Sequence, residues 1–317
     1  MSQSQPVDLQ GVVFLRRELA AAGYSDAAIA ANVRSGLWHR VRFGAYVAGD
    51  LWRSLSVADR HRVLCRAVLR TSHPTAVLSH VSSVIERGGP VWGVPLTHVH
   101  TTRADGRGGR RESGKAPHRG VLPPEHVEIV NGVPVTIAAR SAVEVTTMTD
   151  VESALVSVNA LLHDRAMTLE EFSGLAHDLR YWPRSLSTDL VLRLANPLVE
   201  SAGESRVDYM CFTQHLPRPS AQVVITDEQG RAFARVDFAW PEFGVFLEFD
   251  GREKYARFRR AGETLEAFLM REKSREERIC QLTGWVCLRI GWADLDNPSL
   301  IASRIRRMLE SRRPLGA

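Results

Sequence analysis

Arg235-Val236-Asp237-Phe238-Ala239-Trp240-Pro241-Glu242-Phe243-Gly244-Val245-Phe246-Leu247-Glu248-Phe249-Asp250-Gly251 decides how the last third of this chain is read. An apolar run carrying Asp237 reaches a Pro and a Gly, which mark a turn. A second apolar run follows and ends in Glu-x-Asp. The pattern is that of a β-hairpin presenting three carboxylates. Side chains alternate across a strand, so Glu248 and Asp250 share a face with Phe246, while Val245, Leu247 and Phe249 point the other way. The hairpin brings Asp237 beside Glu248. Buried charges are costly, and carboxylates this close repel one another unless a cation lies between them. Mg²⁺ (or Mn²⁺) accepts few protein ligands and keeps several waters. A water made more acidic by the metal can attack a phosphate in line. The competing reading is an exposed hairpin end, or a structural ion-pair network that imitates a site.

Outward from the hairpin, a helix is expected over 201–214 and a strand over 221–226, with a turn at Asp227–Gly230. Strands 232–239 and 244–250, helix 262–283, strand 285–290 and helix 298–312 follow. The order αβββαβ, with a last helix after it, predicts a mixed sheet flanked by helices.

At 317 residues the chain exceeds one small core, so two or three domains are expected. A hydrophobic share of 44% and a charged share of 24% are those of an ordinary globular protein. The net charge of +5 is compatible with a nucleic-acid partner and does not establish one. Cys65, Cys211, Cys280 and Cys287 form no CxxC pair, which argues against a zinc ribbon. The first residues show no signal-peptide pattern, and no apolar run is long enough to span a bilayer. The expectation is a cytoplasmic protein with no membrane partner.

Residues 11–49 read as two short helices closed by a strand pair. Leu15, Leu19 and Ala22 share helical spacing and Gly23 stops the first helix. Ser25-Asp26 caps a second, carrying Ile29 and Val33 and ending at Gly36. Leu37 to Val47 then alternates and turns at Gly44. Helices with an intervening Gly and a following β-wing point to a winged helix-turn-helix, with Arg34, His39, Arg40 and Arg42 along one basic edge. The competing reading is a small helical domain with a solvated basic face.

The middle of the chain carries less chemistry. A helix is expected over 57–71, another opening at Ser79-His80, and a strand from Leu96 to Thr101 with His98 and His100 on one face. A metal reading of that pair lacks a third ligand nearby. Arg103–Arg119, rich in Gly and Arg, is expected to be a loop. Val133–Ile137 leads as a strand into a helix at Ala138, and helices 151–163, 168–178 and 184–195 follow.

Two resemblances bear on function. Arg17-Glu18-Leu19, Gly23, Ile29, Val33-Arg34, Gly36-Leu37 and Val41 to Val47 resemble the N-terminal domain of the AbiEi-type antitoxins of abortive-infection systems. That resemblance implies a winged helix that binds DNA and represses its own operon, and a cognate toxin as a partner. The middle region resembles the central part of the same antitoxin-like proteins. The C-terminal stretch resembles the PD-(D/E)XK nucleases, most closely the branch related to very-short-patch-repair endonucleases. There Asp237 matches the first acidic residue, Glu248 the second, and Glu204 a helical Glu that helps hold the metal. Asp250 stands where the superfamily has Lys. The same branch shows Glu-x-Asp-Gly followed by a basic residue, and Lys254 keeps that shape.

The missing cation must come from elsewhere, and Lys273 or Arg275 on the long helix can supply it. Lys273 can equally pair with Glu276 or Glu277 on a solvated face. Arg289 ends the last strand, placed to touch phosphate or to pair with a carboxylate. The expected architecture is α+β and multidomain: a winged helix over 1–50, an α-rich, antitoxin-like α/β middle domain over 51–195, and a restriction-endonuclease-like αβββαβ domain over 196–317. The expected activity is metal-dependent cleavage of double-stranded DNA, with Asp237, Glu248, Asp250 and Lys273 catalytic and Glu204, Asp237 and Glu248 holding the metal. The alternative is an antitoxin-like repressor with a degenerate nuclease domain.

Overall fold

The computed structural model describes residues 8–108, 114–251 and 262–312. Among them are twelve α-helices and three sheets, and no helix is long and apolar enough to cross a membrane. The chain divides into two compact units. Of the described residues, one holds those up to Ser157 together with Arg165–Leu192, and the other holds Val158–Asp164 and those from Arg193 onwards.

The first unit opens with β1 (Phe14–Leu15), α1 (Arg16–Ala21), α2 (Asp26–Arg34), β2 (Trp38–Arg42) and β3 (Ala45–Ala48). Ser25 caps α2 by accepting the Ala28 N–H, as expected from its hydroxyl. β3 lies between β1 and β2, antiparallel to both. Leu19, Ile29 and Tyr46 form one small core with Phe14, Val33 and Trp38 against it. Of the positions that predicted the helices, Leu19, Ile29 and Val33 join this core, while Leu15 lies in β1 and Ala22 is exposed beyond the end of α1.

After α3 (Gly49–Ser54) and α4 (Val57–Thr71), a five-stranded sheet forms the middle of the chain. Its strands are β4 (Ala76–Leu78), β5 (Val99–Arg103), β6 (Lys115–His118), β7 (Val127–Val130) and β8 (Val133–Thr136), in the order β6-β5-β4-β8-β7. The helices of the middle region are accompanied by this sheet, which makes its composition α/β. Lys115-Ala116-Pro117-His118 was expected to be loop and is instead a strand parallel to β5. It is an edge strand, where Pro is tolerated because its nitrogen has no donor to lose. Such a strand lacks the apolar alternation that would announce it. Helices α5 (His80–Glu86), α6 (Ala138–Met148), α8 (Leu169–Asp178) and α9 (Ser185–Leu194) complete the unit, and α7 (Val151–His163) contributes residues to both units.

The second unit follows the predicted order closely. α10 (Ala202–Thr213) leads into β9 (Ser220–Thr226), β10 (Ala232–Trp240) and β11 (Val245–Asp250), then α11 (Leu265–Thr283), β12 (Val286–Gly291) and α12 (Pro298–Ser311). The sheet order is β12-β11-β10-β9. β10 and β11 are antiparallel across the Pro241–Gly244 turn, and β11 and β12 are parallel with α11 between them in sequence. A parallel pair needs a long crossover of this kind.

The two faces of this sheet bury different sets. Phe238, Trp240, Val245, Leu247, Phe249, Leu288 and Ile290 join Val207 and Met210 of α10 and Ile301 and Ile305 of α12. Ala239 and Phe246 join Ile279 of α11. The division within β11 is the predicted one. Burying Trp240 and Phe238 contributes about 1.5–3 kcal/mol each, and the Trp240 Nε1–H donates to the Pro217 carbonyl at 2.8 Å. Gly203 fixes how closely α10 approaches the sheet, since a Cβ there would lie 2.0 Å from the Phe249 ring.

Candidate functional site

The hairpin register pairs Phe238 with Leu247 and Ala239 with Phe246. Continuing it outward from the turn sets Asp237 opposite Glu248, on the face shared with α11. The Asp237 Oδ2 accepts the Phe249 N–H at 2.8 Å. Glu248 is buried at 6% exposure, and Asp250 is half-buried two residues further along. Across the parallel pair, Glu248 lies in register with Arg289 of β12.

Arg275 of α11 reaches this face. Its Nη2 donates to the Glu248 Oε1 at 2.9 Å, its Nε to Glu272 at 3.3 Å and its Nη1 to the Arg235 carbonyl at 3.4 Å. Burial works against its charge, and pairing with Glu248 and Glu272 outweighs that, so its pKa is raised. Lys273 lies elsewhere on the helix, with its side chain 72% exposed and its Nζ 3.9 Å from Glu277. The helix itself carried the signal that separates the two. Phe268 and Ile279 are its buried residues, and Arg275 falls on their stripe at seven and four residues' distance. Lys273 is turned about 200° from Arg275 at 3.6 residues per turn. Arg289 is exposed and its Nε donates to Glu276 Oε2 at 2.7 Å, so the two form an ion pair beside the face. Lys254 lies outside the described residues.

Glu204 is tied into the start of α10. Ser201 accepts the Glu204 N–H and donates to its Oε1 at 2.8 Å, while Oε2 accepts the Glu200 N–H at 3.0 Å and the Gln222 amide at 2.9 Å. Ser201 is thus the N-cap of α10, and Glu204 is held by the Ser201 hydroxyl and by the N–H of the residue before the cap.

The donor set fits a hard divalent cation in kind. Asp237 and Glu248 offer carboxylate oxygens from adjacent strands, and Mg²⁺ binds through one or two carboxylates and several waters. In the arrangement seen, no three His, Cys, Asp or Glu side chains among the described residues form a metal-holding group. A guanidinium already sits at Glu248.

In the first unit the four predicted basic-edge residues separate. Arg34 and Arg40 are exposed and form no ion pair among the described residues. Neighbouring arginines are tied down: Arg16 to Asp26 at 2.5 Å, Arg53 to the Gly36 carbonyl at 3.2 Å, Arg60 to the Trp52 carbonyl at 3.1 Å, and Arg70 to Glu18. His39 stacks on Trp52 with ring centroids 4.3 Å apart, and burial followed by nearby Arg60 lowers its pKa. It packs against α3 and does not extend the edge. Arg42, half-buried, pairs with Ala45 at the mouth of the β2–β3 turn.

The same unit holds a polar cluster that no sequence pattern announced. His98 and His100 do not act as a pair: His98 is exposed and meets Thr97 at 2.9 Å. His100 Nδ1 instead lies 2.8 Å from His118 Nε2, and the His118 ring stacks on His80 at 3.6 Å. His80 has φ 54°, a left-handed backbone rare for His, and its N–H donates to the buried Glu144. Burial first, then the neighbouring imidazoles and Arg140, holds His80 well below the ordinary His range, and burial lowers His100 to about 3. Three elements widely spaced in sequence supply this cluster, so spacing could not find it.

No family model matches the chain. It is similar to two curated proteins of Mycobacterium tuberculosis, the uncharacterized protein MT2308 of strain CDC 1551 and the uncharacterized protein Rv2248 of strain H37Rv. Each is 29% identical over 188 residues, which cover 59% of this chain and 66% of the relative. The chain thus spans just under two thirds of the length of the curated relatives it matches.

Proposed function

We propose that this protein binds duplex DNA through its N-terminal helix–wing segment and hydrolyses phosphodiester bonds at the Asp237–Glu248 face. The observation that carries the hydrolytic reading is the register that sets these two carboxylates opposite each other on an αβββαβ scaffold. The scaffold alone is not evidence of activity, since one fold serves many functions. Asp237 and Glu248 would hold the divalent cation. When bound, such an ion supplies an acidified water and neutralises charge on the phosphate. Asp237 is oriented for this by the Phe249 N–H, and Arg275 supplies fixed positive charge where the superfamily motif has Lys. Arg34 and Arg40, exposed and without an ion pair among the described residues, bring guanidinium groups to the phosphate backbone.

The test is plasmid cleavage by the purified protein in Mg²⁺ or Mn²⁺ beside Asp237→Ala. Cutting by the wild type and none by the variant supports the reading. Equal cutting by both, or no cutting of supercoiled, relaxed and single-stranded DNA, overturns it.

A second reading is favoured by the Arg275–Glu248 ion pair, which fills the carboxylate face with protein charge. There the C-terminal unit is a scaffold and the protein is an antitoxin-like transcriptional repressor. A gel shift on its own upstream DNA, abolished by Arg34→Ala with Arg40→Ala, together with no metal uptake in calorimetry, selects this reading.

A further inference from the structure

We infer that Phe43, at the tip of the β2–β3 hairpin, is a wedge that enters the DNA minor groove and unstacks one base step. The inference rests on the DNA-binding reading above and assigns a role to a side chain that reading leaves unused. Phe43 is 88% exposed. The other aromatic rings of this segment are packed: Phe14 on Trp38 at 5.3 Å, Tyr24 on Trp38 at 5.1 Å, and Trp52 on His39 at 4.3 Å. Tyr24 keeps 43% of its surface exposed while resting on Trp38, whereas Phe43 is the most exposed aromatic of this segment among the described residues.

The backbone holds Phe43 in place. Arg42 pairs with Ala45, so Phe43 and Gly44 form a two-residue turn, in which Gly44 takes the left-handed φ of +73° that Gly adopts without steric cost, while Phe43 is not a positive-φ residue. The Gly44 carbonyl accepts the Arg16 N–H at 2.8 Å, anchoring the turn to the start of α1. A ring on so short a turn loses little freedom on binding.

The chemistry around the tip selects the partner. Arg40, on the strand that leads into the turn, is exposed and unpaired among the described residues, and Arg34 at the end of α2 is a second such cation of the same segment, so the segment that carries the ring is complementary to a polyanion. Side chains that kink DNA are apolar wedges of this size, flanked by basic groups that hold the backbone. A narrow minor groove concentrates the negative potential that attracts Arg. An anionic lipid surface offers the same charge. Lying in it takes an extended apolar face, however, and one ring does not supply that.

The experiment uses the full chain with a short AT-rich duplex whose alternating steps carry 2-aminopurine, so that any binding register reports. Binding of wild type is expected to raise 2-aminopurine fluorescence. Phe43→Ala should abolish the rise and weaken affinity roughly ten- to hundredfold, as loss of a buried ring does. It should leave the dependence of log K on log salt unchanged. Phe43→Trp should retain the signal. Arg40→Ala should reduce the salt slope by about one phosphate contact. If the duplex binds with a normal salt slope while fluorescence and affinity ignore Phe43→Ala, the wedge is overturned and the DNA-binding reading stands. If no duplex binds in a salt-dependent way, the reading itself falls, as it does if the protein binds phosphatidylserine vesicles through Phe43 in preference to DNA.

Discussion

Replacing Arg275 by Ala tests the centre of the candidate site without assuming any activity. Its guanidinium lies 2.9 Å from Glu248 Oε1, and the two side chains are 27% and 9% exposed. At an effective dielectric constant of 20 the attraction between such charges is about 4 kcal/mol. The cost of ordering and desolvating the partly exposed Arg offsets part of that. A net loss of about 2–3 kcal/mol is expected, below the ~3–5 kcal/mol for breaking fully buried pairs. Urea unfolding at pH 7, followed by tryptophan fluorescence, measures it. Glu248→Gln and the double variant complete a cycle whose coupling should be about 2 kcal/mol. If Arg275 occupies a cation position, Mn²⁺ should stabilise Arg275→Ala more than wild type, approaching 2.7 kcal/mol at about a hundredfold excess over its dissociation constant. A coupling below about 0.5 kcal/mol would make the pair no stronger than a surface contact. Equal stabilisation of both proteins by Mn²⁺ would refute the idea that Arg275 and a metal compete for Glu248.

Gly203→Ala should destabilise the second unit by about 1–3 kcal/mol, the cost of overpacking, because the added carbon meets the Phe249 ring at 2.0 Å; a thermal midpoint unchanged from wild type would contradict that contact. Lys273→Ala should change stability by less than about 0.5 kcal/mol, since its Nζ stands 3.9 Å from an exposed Glu277; in a cleavage assay it should also leave the rate unchanged if Arg275 is the working cation. Acid should weaken the first unit in a defined window. His80 and His100 stay neutral in the fold, with pKa values lowered by burial from the ordinary 6.5. Above that value both folded and unfolded chains are neutral and stability is unaffected. Below it the unfolded chain binds protons that the fold refuses, so each group lowers stability by about 1.4 kcal/mol per pH unit. For His100 this continues down to about 3. Replacing His100 by Gln should flatten the dependence between pH 6.5 and 4, and an unaltered slope would show that the group titrates normally.

The parts of the fold that could be read from the sequence are those whose information is local. The β10–β11 hairpin announced itself through two apolar runs and a Pro–Gly turn, and its facing pattern followed from a period of two. α2 begins at Ser25, the expected cap, whose hydroxyl accepts a backbone N–H group. Strand β6 was missed because edge position, not composition, makes Lys115–His118 a strand. His39 was read as part of the basic edge, but the ring of Trp52 determines where it lies.

By itself, then, the sequence determined that Glu248 and Asp250 share one face of a strand, because side chains alternate along it, and it put Asp237 on the neighbouring run of the same hairpin, whose register sets the face Asp237 takes. Helical spacing sets Arg275 and not Lys273 on the Phe268–Ile279 stripe, and the tertiary structure decided that this stripe lies on the Glu248 face. Arg275 and Lys273 are two residues apart with similar charge, and the packing of Phe268 and Ile279 turns one inward and the other to solvent. The same holds for the His80–His100–His118 cluster, whose members meet only when α5, β5 and β6 assemble. Local periodicity fixes the direction of a side chain relative to its own element, and the identity of its neighbour depends on contacts between residues far apart in the chain.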